Sequence, residues 1–216
     1  MIISLRHRYI FVHIPKTGGT SLTQMLERRV GRDDIILSDT PKGRARRHRV
    51  KDAPARGRLW KHATLADIEG LVDPAIFADY LIFTLVRNPW DRLVSMYHWA
   101  RTQSFDHPTV RLAKATDFDG FLRHPMTTRM IAWPETRYLT DSRGTEWPAL
   151  FLRFETLSAD TAMLGDRLGL KLGPLPHVNP SQRGAYRDYY TGETAAIVAR
   201  AAAQSIARFG YAFDPD

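Results

Sequence analysis

A chain of 216 residues with 44% hydrophobic and 25% charged content has the make-up of one globular domain, 1–216, with a substantial core. No apolar run approaches the roughly 20 residues of a membrane span, and the N-terminal apolar run, split by Arg6, His7 and Arg8, is no signal peptide. Cysteine is absent, which excludes disulfides and thiolate metal sites and makes the cytoplasm the default location. The net charge of +8 is uneven: eight Lys and Arg from Lys42 to Arg58, against Asp52 alone, carry +7 of it. Basicity confined to one segment, and not spread over a face of folded elements, argues against nucleic-acid binding. With its Gly and Pro, this stretch (about 41–58) reads as a mobile loop, either simply solvated or a flap over an anionic donor or acceptor.

Taken in order, the first strong element is Tyr9 to Ile14, a short run of β-branched and aromatic residues that reads as a buried strand. Pro15 ends it, because proline has no N–H to give a sheet. Gly18 and Gly19 allow strained backbone angles and close approach to a ligand. Thr20 or Ser21 can cap a following helix, about Ser21 to Val30, with Leu22, Met25 and Leu26 on its apolar face. A strand, a tight glycine-bearing turn and a helix N-terminus together make an anion site from backbone N–H groups. Lys16 adds a positive charge, and Thr17, Thr20 and Ser21 add hydroxyl donors. The order differs from the P-loop pattern G-x-x-x-x-G-K-[ST], since this lysine precedes its glycines. A strand–turn–helix with no ligand remains open on this stretch alone.

A short strand around Ile35–Leu37, the basic segment and a short helix capped by Thr64 follow. Tyr80–Val86 is almost continuously apolar, as a central strand of a parallel sheet would be. It runs into Arg87-Asn-Pro-Trp-Asp-Arg-Leu-Val-Ser95, with Asn88 as a helix cap and Pro89 at the first helical position. Arg87 thus sits at a strand end equivalent to that of Lys16, and a guanidinium there suits bidentate phosphate binding. Two such turns point to a ligand with phosphates at two places. Beyond them the pattern gives a helical turn at Phe118–Arg123 and a helix from Met126 to Leu139 broken at Pro134. A strand at Leu150–Glu155, a helix from Ser158 to Leu168, a loop from Leu175 to Gly184 and a long helix from Glu193 to Phe209 complete it.

His13-Ile-Pro-Lys-Thr-Gly-Gly-Thr-Ser-Leu22 followed by Val86-Arg-Asn-Pro-Trp-Asp-Arg-Leu-Val-Ser-Met-Tyr97 resembles the sulfotransferases that use 3′-phosphoadenosine 5′-phosphosulfate (PAPS). The carbohydrate branch and its soluble bacterial relatives are the most similar, and Lys61-His-Ala-Thr64, Arg153-Phe-Glu155 and Leu175-Pro-His-Val-Asn179 extend the likeness over nearly the whole chain. The resemblance implies a P-loop-like α/β fold with three layers, a central parallel sheet flanked by helices. It assigns the sulfonate-bearing end of PAPS to Lys16, Thr17, Gly18, Gly19, Thr20 and Ser21. The 3′-phosphate goes to Arg87 and Ser95, with Arg183 before Gly184 closing over it. Lys16 would stabilise the leaving nucleotide, PAP, and His62 would be the base; no metal is implied. His13, His98 and His177 read as structural, and Trp90 and Tyr97 as helix-packing aromatics.

The acceptor implied is a hydroxyl or amine on a carbohydrate, lipid headgroup or small metabolite. Two other functions fit parts of the pattern: a nucleotide kinase or NTPase, which would depend on Mg²⁺, and a non-catalytic polyanion-binding module built on the basic segment. Oligomeric state leaves no mark in the sequence.

Overall fold

In the computed structural model, which describes residues 1–176 and 183–214, strands form where apolar β-branched runs stop at turn residues. The elements begin with β1 (Ile2–Ser4), β2 (Tyr9–Val12), α1 (Gly19–Glu27), β3 (Ile35–Ile36), α2 (Pro41–Arg46), α3 (Ile76–Asp79) and β4 (Leu81–Val86). Then come α4 (Pro89–Arg101), α5 (Pro108–Ala115), α6 (Phe118–Arg123) and α7 (Pro125–Ile131). The chain continues with β5 (Leu150–Arg153), α8 (Leu157–Leu168), α9 (Gly192–Ala201) and α10 (Ala203–Phe209). Short 3₁₀ turns lie at Arg47–Val50, Glu135–Leu139 and Tyr186–Tyr189. The chain divides into two compact units: Met1–Val86 with Glu135–Val178, and Arg87–Pro134 with Asn179–Asp216.

The first unit holds a five-stranded sheet in the order β3-β1-β2-β4-β5. β2, β4 and β5 are parallel, with Val12 opposite Thr84 and Val86 opposite Arg153. Hence the carboxyl ends of β2 and β4 are neighbours, and the Thr84 hydroxyl pins them by donating to Val12 O at 2.7 Å. The expected parallel sheet gains one antiparallel member, β1, which pairs with both β2 and β3. Alternation along the strands builds a core on each face. Ile2, Tyr9, Phe11, Phe83 and Leu85 pack with Leu22, Met25 and Leu26 of α1 and Leu164 of α8. Ile3, Ile10, Val12 and Ile82 pack on the other face with Val50, Leu65, Ile68, Phe77 and Leu139. Helices therefore cover both faces, in three layers.

The basic stretch departs from the expected loop, because its first half is α2 and a 3₁₀ turn. Thr40 caps α2 by accepting from Gly43 N at 3.0 Å, with Pro41 at the first helical position. Its cations find carbonyls: Lys42 donates to Glu27 O, the last residue of α1, and Arg46 to Gly31 O. A helix C-terminus attracts such donors because its carbonyls carry partial negative charge. The expected helix after Thr64 is only a turn. Thr64 N and Asp67 N each bond the other residue's side chain, at 2.8 and 3.1 Å, and the pattern does not propagate.

The second unit is helical. Asn88 caps α4, its Oδ1 accepting from Trp90 N and Asp91 N. Trp90 is buried and donates from Nε1 to Ala195 O at 3.0 Å. Tyr97 packs against Phe118 and Phe121 and donates to Thr116 O. Both aromatics are therefore helix packing. The long C-terminal helix is two, α9 and α10, broken at Ala202. Among the described residues, no helix is long and apolar enough to cross a membrane.

One core feature is directly testable. Tyr9 is fully buried, and among the described residues its hydroxyl has no hydrogen-bond partner. A buried unmade hydrogen bond costs about 1–3 kcal/mol, so Tyr9→Phe is expected to leave stability unchanged or raise it by about 1 kcal/mol. The urea midpoint decides it; a clear loss would mean that the hydroxyl is bonded in solution.

Candidate active site

The turn between β2 and α1 is wound by two left-handed residues, Lys16 at φ 66° and Gly18 at φ 88°. Gly18 caps α1 with no side-chain bond, so neither Thr20 nor Ser21 is the cap that the sequence suggested. The first-turn N–H groups of α1 are consequently left to main-chain or ligand acceptors. Thr17 is buried and spends its hydroxyl inside the turn, donating to Ile14 O at 2.9 Å. Thr20 is exposed, while Lys16 and Ser21 are half-buried. Two close approaches explain the glycines. A Cβ on Gly18 would lie 2.6 Å from the Phe154 ring, and one on Gly19 would lie 2.2 Å from Cδ2 of His13.

His13, at the end of β2, is buried, with its ring stacked on Phe11 at 5.8 Å. Burial holds its pKa well below the ordinary value, with His62 and nearby cations adding to the effect. Its backbone carbonyl takes the second role. Nδ1 of His62 lies 2.7 Å from His13 O. A carbonyl only accepts, so that nitrogen carries the proton, and in neutral imidazole Nε2 is left as the acceptor. Burial lowers the His62 pKa to about 3, against the opposing pull of this hydrogen bond and with help from Lys61. His62 is edge-on to both His13 (4.7 Å) and the exposed Trp60 (5.0 Å). The loop residues 16–21 and His62 thus belong to one unit, joined through His13.

In the second unit, Arg87 directly follows β4 in the chain. Its Nε and Nη2 each lie 2.7 Å from Oδ2 of Asp91, one helical turn on. The other oxygen, Oδ1, accepts from Nη2 of Arg183. Asp91 therefore brings together two residues that the sequence singled out separately. Ser95 is buried one turn further along α4, and His98 follows on the same side of the helix. His98 is edge-on to Tyr189 at 5.2 Å, and burial, then Arg183, lowers its pKa.

Sequence reasoning missed Asp91, whose only signal is its i,i+4 spacing from Arg87. It also missed the part played by His13, which no spacing could reveal. Among the described residues, four buried polar side-chain atoms lack a partner, and two of them are His13 Nδ1 and His98 Nε2, one in each unit. The expectation for His177 lies outside the described residues. In the basic segment, Lys42, Arg46, Arg47 and Arg49 are bonded to Glu27 O, Gly31 O, Asp39 and Arg32 O respectively. Half of its eight cations are thus hydrogen-bonded within the chain, and Arg58 stacks over Trp60, which weakens the reading of the segment as a polyanion-binding surface.

A family model described as the sulfotransferase family matches residues 1–168. No curated protein sequence matches the chain significantly. Among solved structures, the chain is similar to mouse sulfotransferase SULT7A1 complexed with PAP, at 19% identity over 99% of this chain and 70% of that one, with a TM-score of 0.37.

The Gly19–His13 contact generates a prediction independent of activity. Gly19→Ala is expected to cost about 1–3 kcal/mol by overpacking the imidazole. Combined with His13→Ala, which vacates that space, the cost should shrink markedly. Additive losses in the double-mutant cycle, measured by urea unfolding, would show that the two residues do not constrain each other.

Proposed function

The chain belongs to the sulfotransferase family, and from that premise we propose that it moves the sulfonate group of PAPS to a hydroxyl or amine. The acceptor is a carbohydrate, a lipid headgroup or a small molecule, and a cysteine-free chain fits work in the cytoplasm. Family membership displaces the kinase or NTPase alternative. The observation that carries the reading is the β2–α1 turn: two left-handed residues, a helix start with no side-chain cap and a glycine pressed on His13, whose carbonyl holds the base candidate His62.

Each unit offers a candidate anion site, in keeping with a donor that carries anions at both ends. Backbone N–H groups from Thr17 to Ser21 are assigned to the 5′ end, where a helix N-terminus favours negative charge. Thr17 serves there through its main chain, because its hydroxyl is committed to Ile14 O. His13, whose ring packs against Gly19 of this turn, has a buried Nδ1 with no partner among the described residues. Arg87, Ser95 and Arg183 are assigned to the 3′-phosphate, with the orphaned Nε2 of His98 in the same unit.

PAPS supplies a sulfuryl group whose S–O bond to the nucleotide breaks as the acceptor oxygen or nitrogen bonds to sulfur. Lys16 neutralises the charge that develops on the departing 5′-phosphate oxygen, an electrostatic contribution confined to the transition state. His62 takes the acceptor proton on Nε2, the nitrogen that its bond to His13 O leaves unprotonated. The proton passes to solvent, and the sulfated acceptor and PAP leave.

Lys16→Ala is expected to lower kcat by about 10²–10³-fold with little change in PAP affinity. Arg87→Ala should instead weaken PAP binding by about 10–100-fold. His62→Ala should lose transfer by about 10²–10⁴-fold and keep PAP binding. Titration calorimetry with PAP, beside turnover of labelled PAPS with acceptor pools, measures all three. Matched losses of kcat and PAP affinity in every variant would refute these roles.

The pH profile supplies a separate check. His62 with a pKa near 3 stays neutral, and able to accept a proton, as pH falls through 6.5. Wild-type kcat/KM should therefore show no acid limb at the ordinary histidine value of about 6.5. A limb there that disappears in His62→Gln would mean that the imidazole titrates normally.

A further inference from the structure

The geometry points to Asp91 as the positioning residue that holds Arg87 and Arg183 in register for the donor's 3′-phosphate. This inference rests on the proposed function. Both arginine side chains are about nine-tenths buried, at 8% and 9% exposure, and the carboxylate between them is 15% exposed. Two guanidinium groups gathered in so dry a place repel each other and lose hydration. A carboxylate that gives one oxygen to each offsets both effects. The cluster keeps a net charge of +1, so it still attracts an anion.

Asp91 does this from a fixed position. Its N–H is bound by the Asn88 cap at 3.4 Å, and it lies in the first turn of α4, where the helix end favours a negative charge. Nε and Nη2 of Arg87 both converge on Oδ2, which sets the plane of that guanidinium. Arg183 reaches the same carboxylate from 92 positions further along the chain. A carboxylate that competed with the phosphate would have to leave when the ligand arrives. The cap and the buried setting hold this one in place, so its role is to orient.

The test compares two ligands that differ only in the 3′-phosphate, adenosine 3′,5′-bisphosphate and adenosine 5′-monophosphate, by titration calorimetry. In the wild type the bisphosphate should bind more tightly. Asp91→Asn, nearly isosteric, is expected to weaken the bisphosphate by about tenfold or more and to change the monophosphate by less than about twofold. A thermal melt confirms that the variant is folded; if it is not, Asp91→Ser is read in the same way. Equal losses for both ligands would show a merely structural residue. An unchanged or tighter bisphosphate would show that the carboxylate is idle or competes. Either result overturns the inference while leaving the proposed function standing. A wild type that does not prefer the bisphosphate overturns both, since the 3′-phosphate assignment itself then fails.

Discussion

The imidazole of His13 fills the space that any side chain on Gly19 would need, and the organisation of the first unit follows from that contact. With the first residue of α1 seated on a ring at the end of β2, the intervening turn must be short and tightly wound. It achieves this with left-handed angles at Lys16 and Gly18. Placing a lysine there carries some strain, which the neighbouring structure must hold in place. Phe154, next to the end of β5, presses on Gly18 from another side and limits the turn further. The same histidine then offers its carbonyl to His62, 49 residues away. One residue thereby fixes where the helix begins, how the turn is wound and which nitrogen of His62 is free.

The two units solve the problem of buried polarity in opposite ways. In the first unit, burial keeps His13 and His62 uncharged, so no counter-ion is needed. In the second, arginine cannot be discharged. Its two guanidinium groups instead share the carboxylate of Asp91. The first arrangement suits a proton acceptor, which must be neutral before it reacts. The second suits an anchor, which must stay charged throughout.

What could be read from the sequence follows the same division. β2, β4 and β5 were legible because apolar runs ending in Pro or Arg leave little choice of element, and Asn88-Pro89 announced α4. The three-residue β1 was hidden: Ile2-Ile3-Ser4 is too short to show a period, and only its pairing with β2 and β3 defines it. The basic segment misled because composition treats cations as seekers of water. Here the carbonyls at the end of α1 satisfy Lys42, and Glu27 holds the hydroxyls of Ser38 and Thr40 that anchor the start of α2. Lys16, Arg87 and Ser95 stand in local motifs, so the sequence could nominate them. Bonds such as Arg183 to Asp91, or His62 to a backbone carbonyl, depend on distant partners and leave no local trace.

If His62 is the base, as proposed, the histidine pair also explains how it works among cations. Lys61 and Lys16 contribute to depressing these imidazoles, although burial is the larger cause. A weak base serves this chemistry because an acceptor hydroxyl is hardly acidic until its oxygen has begun to bond to sulfur. Only then does its proton become easy to take, and an imidazole that is neutral at every physiological pH is always ready to receive it. A stronger, more exposed base would spend part of its time protonated near neutral pH. The low pKa of His62 therefore trades proton affinity for constant availability, and the bond to His13 keeps the accepting nitrogen defined.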